Sequence, residues 1–317
     1  MNKFLFIFIT ILILYAPSAR AQYAIDAYTN AYEINIIPGA APVAGKGPAE
    51  REMNKCQATR LNKEWFLTAA HCLQDSCSAM TGGCALQARL LVGPGWEVVI
   101  QTHAASTYDE AIRIYAPQSA DKNNIAFDVA LIRFAADKYK YIYLNGNISV
   151  PEDIFMDTTP LSGIVLKNAK DGANFPTLIA LDTQTAKIFN RPLFVPSIWG
   201  GRRELLISHD TVFYSPKKQY LFTDNFGIRG GISGSGVFIS PTELVGITSA
   251  TGSLRQIYAG GENPLNLTFL TAFNEDVIKF ITYHVGNIKS RTADMTYFKV
   301  IPEDLRPSAF AVEDAIS

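Results

Sequence analysis

Beyond residue 21 the apolar positions fall into short runs. Arg89 to Val92, Trp96 to Ile100, Val129 to Phe134, Gly163 to Leu166, Leu193 to Val195 and Leu244 to Thr248 are each rich in branched or aromatic side chains. Such residues suit a pleated, half-buried surface, so each run predicts a β-strand. Turn formers stand between them: Gly82-Gly83, Gly93-Pro94-Gly95, Asn145-Gly146-Asn147, Asp171-Gly172 and Ser215-Pro216. Short strands at this spacing, with no helical period between them, predict an all-β sandwich or a pair of barrels. One late segment departs from the rule. From Thr271 to His284 the residues Phe273, Val277, Ile278, Ile281 and His284 recur at helical spacing, with Glu275 and Asp276 in the first turn, where carboxylates suit the helix dipole. A terminal amphipathic helix packed on the β core is therefore expected. No internal repeat is visible, and a join between two halves is expected in the polar and aromatic stretch 137–159.

The start of the chain is patterned differently. Lys3 precedes a nearly all-apolar run from Phe4 to Ala16, and Ala19-Arg20-Ala21 puts small residues where a signal peptidase reads. That run has 13 residues, short of the roughly 20 a spanning helix needs. A signal peptide over 1–21 is expected, leaving a secreted protein, extracellular or periplasmic, without stable membrane association. The remaining 296 residues suffice for one large core or two smaller ones. Of the 28 basic residues Lys3 and Arg20 leave with the signal, so 26 face 29 acidic ones, a net of −3. Lys and Arg form no run, which argues against a nucleic-acid partner.

Cysteine usage adds a constraint. Cys56, Cys72, Cys77 and Cys84 lie within 29 residues, and an oxidising compartment favours disulfides among them. Three pairings are open. Gaps of 16, 5 and 7 do not give the C-x-x-C spacing of a zinc site, and neither metal nor other cofactor is expected.

Three stretches carry candidate chemistry. In Trp65-Phe66-Leu67-Thr68-Ala69-Ala70-His71-Cys72 a strand-like run ends in small residues that leave a titratable ring approachable, and a disulfide from Cys72 would hold that turn. His103, His209 and His284 have no such surroundings. Asp128 is embedded in Ile125-Ala126-Phe127-Asp128-Val129-Ala130-Leu131-Ile132, where a carboxylate costs several kcal/mol unless it is paired; an imidazole N–H is a suitable partner. Gly230-Gly231-Ile232-Ser233-Gly234-Ser235-Gly236 permits a tight turn with converging backbone N–H groups, followed by the core strand Val237-Phe238-Ile239.

In the order His, Asp, Ser these stretches resemble the chymotrypsin/trypsin-like (S1) serine proteases, as a divergent member. The carriers are TAAHC at Thr68 to Cys72, Asp128-Val129-Ala130-Leu131-Ile132, Gly231-Ile232-Ser233-Gly234-Ser235-Gly236 and the strand Leu244 to Ser249. Separations of 57 residues from His71 to Asp128 and 105 from Asp128 to Ser233 leave room for both barrels. The resemblance implies two six-stranded antiparallel β-barrels with a C-terminal helix. It implies a peptidase domain over 36–285, a short pro-segment over 22–35 and a tail, 286–317, without an assigned role. It assigns Ser233 as nucleophile, His71 as general base, Asp128 as its orienting carboxylate and the N–H groups of Gly231 and Ser233 as oxyanion donors. It pairs Cys56 with Cys72 and leaves Cys77 to Cys84 as a local bridge. Gly227, Thr248 and Ser249 fall at substrate-pocket positions, and a protein or peptide is the implied partner.

Two departures stand out. The residue before the serine is Ile232, where most relatives have the Asp that pairs with a new N-terminal amine after cleavage. Ile36-Ile37-Pro38-Gly39 faintly resembles that new terminus without its partner. At the pocket base Gly227 supplies no acid to select Lys or Arg. Two readings follow: a secreted serine endopeptidase, or an inactive homologue that serves as a secreted binding module.

Overall fold

The computed structural model describes residues 25, 27–28, 30–38, 54–62, 64–74, 84–93, 96–102, 112–114, 127–133, 139–145, 148–150, 175–181, 187–199, 202–208, 212–215, 220–254 and 265–300. Among them an N-terminal sheet has nine strands. These are β1 (Ala31–Pro38), β2 (Asn54–Arg60), β3 (Trp65–Thr68), β4 (Cys84–Gly93), β5 (Trp96–Thr102), β6 (Ile112–Ile114), β7 (Ala130–Arg133), β8 (Tyr139–Asn145) and β9 (Ile148–Val150). They lie in the order β6-β7-β3-β2-β1-β4-β5-β8-β9, antiparallel throughout.

A C-terminal sheet follows, built from β10 (Thr177–Ala180), β11 (Lys187–Phe189), β12 (Phe194–Trp199), β13 (Arg202–Ile207), β14 (Val212–Ser215), β15 (Tyr220–Asp224), β16 (Gly236–Ser240), β17 (Glu243–Leu254), β18 (Leu265–Ala272), β19 (Ser290–Thr292) and β20 (Phe298–Val300). Its path is β13-β12-β16-β17-β18-β15-β14-β11-β20, while β10 adds two parallel pairings, to β17 and β19.

The all-β architecture expected from the sequence, two antiparallel sheets with a terminal helix, is the one adopted. Strands number nine and eleven among the described residues, more than the six per barrel that were expected. Strand β4 ends at Gly93 and β5 begins at Trp96, β8 ends at Asn145 and β9 begins at Ile148, and β14 stops at Ser215; Pro94-Gly95, Gly146-Asn147 and Pro216 lie outside the described residues. Because β8 and β9 belong to the N-terminal sheet, the passage between sheets runs from Val150 to Thr177, beyond most of the 137–159 stretch. The signal peptide, the Gly163 to Leu166 run, Asp171-Gly172, Gly82-Gly83, Cys77 and the side chain of Cys84 lie outside the described residues.

The terminal helix α2 spans Glu275–Val285, and a four-residue turn, α1, spans His71–Gln74. Helix α2 begins four residues later than its periodicity suggests, because Thr271 and Ala272 still pair in β18 and Asn274 supplies the cap, its side chain accepting from Val277 N. Val277, Ile278, Ile281 and Val285 form its buried face. No helix among the described residues is long and apolar enough to cross a membrane.

The first core cluster crosses the sheet boundary. It joins Ile34, Ile36, Phe66, Leu67 and Leu131 to Phe238, Leu244, Ile247, Phe273 and the face of α2. A second cluster, with Ile179, Leu193, Leu221, Ile232, Val237 and Leu270, fills the C-terminal sheet. Ile25 and Tyr28 are buried, and their carbonyls accept from Arg203 at 3.0 Å, so this N-terminal stretch is tied to β13. Ile36 sits inside β1, fully buried and paired with Asn54 and Leu86. Residues 31–35 of the expected pro-segment are therefore part of the central strand of the sheet. Likewise 290–292 and 298–300, from the expected tail, are strands of the C-terminal sheet. Arg291 pairs with Glu243 and stacks on Tyr297, which holds them there.

Candidate active site

Strand register brings the first two candidate residues together. In the ladder of β3 and β7 the last pair is Thr68 with Ala130. Three residues past Thr68 the chain turns into α1 at His71, and two before Ala130 stands Asp128, so both leave the same end of one ladder. There Asp128 Oδ1 accepts from the His71 backbone N–H at 2.8 Å and Oδ2 lies 2.7 Å from Nδ1 of the ring. A carboxylate on Nδ1 assigns the ring proton to that nitrogen and leaves Nε2 as the acceptor. The imidazole is 47% exposed and the carboxylate 11%. Burial pushes the Asp128 carboxyl up. The His71 hydrogen bond and charge, the Ser249 hydroxyl and the His71 N–H together outweigh burial and hold it below the ordinary carboxylate range.

The Cys56–Cys72 disulfide closes the turn beside the ring, joining β2 to α1 as the resemblance implied. Cys72 Sγ lies 3.8 Å from His71 Nε2 and 3.9 Å from the Ser233 carbonyl oxygen, so one sulfur touches both. Both Sγ atoms and a His71 ring nitrogen lie within 4.8 Å of one another, a spacing that could suit a metal. The sulfurs are bonded to each other, and metal ligation requires thiolates.

Ser233 reaches the site from the other sheet, on the loop before β16. Its hydroxyl donates to the Ser249 carbonyl at 3.4 Å, and no hydrogen bond to His71 is among those described. Apo sites commonly hold the nucleophile and base loosely. The loop passes very close to the N-terminal sheet. A Cβ on Gly234 would come 2.3 Å from Gln57 O and Thr68 Oγ1, and one on Gly236 2.3 Å from Thr59 Oγ1. Gly234 also has φ +85°, so only glycine fits there without strain.

Backbone accounting in the loop is selective. Ile232 N–H bonds to Arg229 O, Gly234 N–H to Thr248 O and Ser235 N–H to Ile232 O. Gly231 N–H and Ser233 N–H have no acceptor among the described bonds. Those are the two amides the resemblance assigned to an oxyanion. Ile232 is fully buried in the second core cluster. Its side chain anchors the loop by packing.

The residues expected at the pocket have hydrogen bonds of their own. Thr248 is fully buried, and its hydroxyl donates to Ile232 O at 2.7 Å, which turns the following N–H, that of Ser233, the opposite way. Ser249 donates to Asp128 Oδ2 at 2.5 Å. It can do so because the pairing of β17 with β18 slips between Thr248 and Ala250, leaving Ser249 as the extra residue of a bulge that re-aims its side chain. The hydroxyls of both residues are thus spent, that of Thr248 on the Ser233 loop and that of Ser249 on Asp128. Gly227 is exposed at φ +106°, its N–H bonded to Asn225 Oδ1 and its carbonyl accepting from Arg229.

Sequence reasoning passed over Gln57, whose buried side chain bonds Ile198 and Gly231, and the Glu204–Arg229–Trp199 group beside it. Neither carries a motif. The sole signal was a long polar side chain within Lys55-Cys56-Gln57-Ala58-Thr59, adjoining a cysteine.

No family model matches the chain, and no curated protein matches it. Among solved structures it is similar to a catalytically inactive tobacco etch virus protease complexed with substrate, at 11% identity and TM-score 0.43, over 82% of this chain and 85% of that one. It is similar to the scabies mite inactivated protease paralogue S-I1 at 12% identity and TM-score 0.44, over 82% and 96%. A Glu endopeptidase aligns at 13% identity and TM-score 0.39, over 82% and 92%.

Proposed function

We propose that the protein is a secreted serine endopeptidase that cleaves peptide bonds through an acyl-enzyme. One observation carries this reading. Asp128 holds His71 by two hydrogen bonds, and in the serine loop, between residues 231 and 235, Gly231 and Ser233 are the residues whose N–H groups have no acceptor among the described bonds.

In the reaction the Ser233 hydroxyl leaves Ser249 O and gives its proton to His71 Nε2 as Oγ attacks the scissile carbonyl. Asp128 keeps Nδ1 protonated and stabilises the imidazolium, while the Ser249 hydroxyl steadies the carboxylate. The oxyanion is received by the Gly231 and Ser233 N–H groups, a donor of this kind being worth about 3 to 4 kcal/mol. His71 then protonates the leaving amine, and water resolves the acyl-enzyme in reverse. Gly227 offers no charge, so the substrate residue before the scissile bond is small or apolar.

The binding-module reading is favoured by one feature, the Ser233 hydroxyl donating to the Ser249 carbonyl. A fluorophosphonate probe separates the two readings. Labelling of the wild type, absent in Ser233→Ala, is expected. A folded, disulfide-bonded sample that takes no label would leave the binding module standing.

A further inference from the structure

Gln57 is a polar residue of β2, only 2% exposed, that meets the serine loop with both its backbone and its side chain. Its N–H donates to Ser233 O at 2.8 Å, and its carbonyl accepts from Thr68 Oγ1 at 2.7 Å. Through its amide, Oε1 accepts from Ile198 N at 3.1 Å, while Nε2 donates to Ile198 O at 3.0 Å and to Gly231 O at 3.1 Å. The amide orientation is fixed by these partners, because Ile198 N can only donate and the two carbonyls can only accept. Both amide hydrogens are spent, one of them on the loop.

That bond controls more than one carbonyl. The peptide linking Gly231 to Ile232 is gripped at both ends, its oxygen by Gln57 and its N–H by Arg229 O. The next peptide is gripped at its oxygen by Thr248. Gly230-Gly231 is otherwise a pair of residues with wide backbone freedom, and Gly231 has φ +87°. With the peptide after it fixed, the Gly231 N–H keeps only the rotations at Gly231 φ and ψ and within Gly230, whereas a freed Gly231–Ile232 peptide would let the whole turn tilt. Ile198 belongs to β12, so the same side chain references the loop to a core strand of its own sheet as well as to β2.

Resting on the endopeptidase reading, we propose that Gln57 is a positioning residue that holds the oxyanion donor Gly231 N–H in its productive orientation. The loop is assembled by this clamp within the folded chain, without a contact from a newly cut N-terminus.

The test compares wild type, Gln57→Met and Gln57→Glu in steady-state peptide hydrolysis, with a peptide aldehyde as inhibitor, since its adduct with Ser233 places an oxyanion at the same donors. For Gln57→Met, kcat falls roughly 100-fold, the lower end of the range for losing one such donor, with KM within about twofold. Aldehyde affinity falls by the same factor as kcat/KM. A purely structural role would lower thermal stability without that proportionality. Gln57→Glu covers the case in which the Met variant does not fold. A protonated carboxyl can donate to Gly231 O and a carboxylate cannot, so its kcat relative to wild type rises as pH falls from about 8 to 5. A folded Gln57→Met with kcat within threefold of wild type, a loss confined to KM, or a flat pH ratio for Gln57→Glu would overturn the proposal. If wild type hydrolyses peptide and takes the fluorophosphonate label in those cases, the endopeptidase reading survives. A wild type silent in both assays overturns the two together.

Discussion

His71 and Asp128 are brought together by a sheet, whereas Ser233 is placed by a loop that belongs to none. On the first side, the four pairs of the β3–β7 ladder bring His71 and Asp128 to one end, and the contact between them is two short hydrogen bonds. On the second, the loop is held by a buried isoleucine, by Thr248 and Gln57 gripping carbonyls, and by a glycine pressed to within contact of β2. Ladder pairing is redundant, so single substitutions disturb it locally. Clamps are not redundant, and losing one frees a peptide. The two halves of the site should therefore fail in different ways, the first in chemistry and the second in assembly.

The sharpest way to expose the chemical half is Asp128→Asn. It keeps the volume but removes the charge and the acceptor that fixes the Nδ1 proton, and a fall in kcat of about 10⁴-fold is expected in a chain that still unfolds cooperatively in urea. On the assembly half, Ile232→Asp puts a carboxylate on the residue before Ser233. Here it meets a fully apolar cluster, so stability drops by several kcal/mol in urea unfolding, while Ile232→Val costs only about 1 kcal/mol. If the Asp variant proved as stable as wild type, some cation would have to reach the loop, and the contrast between halves would collapse.

Ser249→Ala probes the link between them and should act more weakly. It deletes one of three hydrogen bonds on Asp128 and is expected to lower kcat roughly 10-fold with KM unchanged, about 1.4 kcal/mol. The smallest effect is one of pH. Asp128 is held below the ordinary carboxylate value, so the unfolded chain takes up its proton first, near pH 4. Its contribution to stability is fully present above that pH and is lost as pH falls through the lower folded value. The difference in unfolding free energy between wild type and Asp128→Asn should thus be constant from pH 8 to about 5 and shrink only below about 4. A difference that decayed between pH 8 and 6 would mean another group governs the pair.

The sequence made the ladder half readable because its signals are local. Trp65 to Thr68 and Ala130 to Ile132 are apolar runs whose ends announce His71 and Asp128, and the glycines around Ser233 announce a turn. The terminal helix was readable from its period, though its start was obscured by Thr271 and Ala272, which suit a strand as well as a helix. What could not be read were long-range pairings. Nothing adjacent to Gln57 foretells Ile198, 141 residues away, and nothing near Ser249 foretells a one-residue slip of β17 against β18. Nor does the mixed composition after Val285 reveal that Ser290–Thr292 and Phe298–Val300 complete a sheet, since three-residue strands carry no period.

Those last two strands set an order in time. A chain leaves the ribosome, and crosses a membrane if it is exported, N-terminus first. His71 and Asp128 are both delivered by residue 128, but the sheet adjoining the Ser233 loop gains β19 and β20 only once residue 300 has emerged. On the proposed endopeptidase reading such an arrangement acts as a delay: the sheet behind Ser233 is finished only after a further 172 residues have followed Asp128.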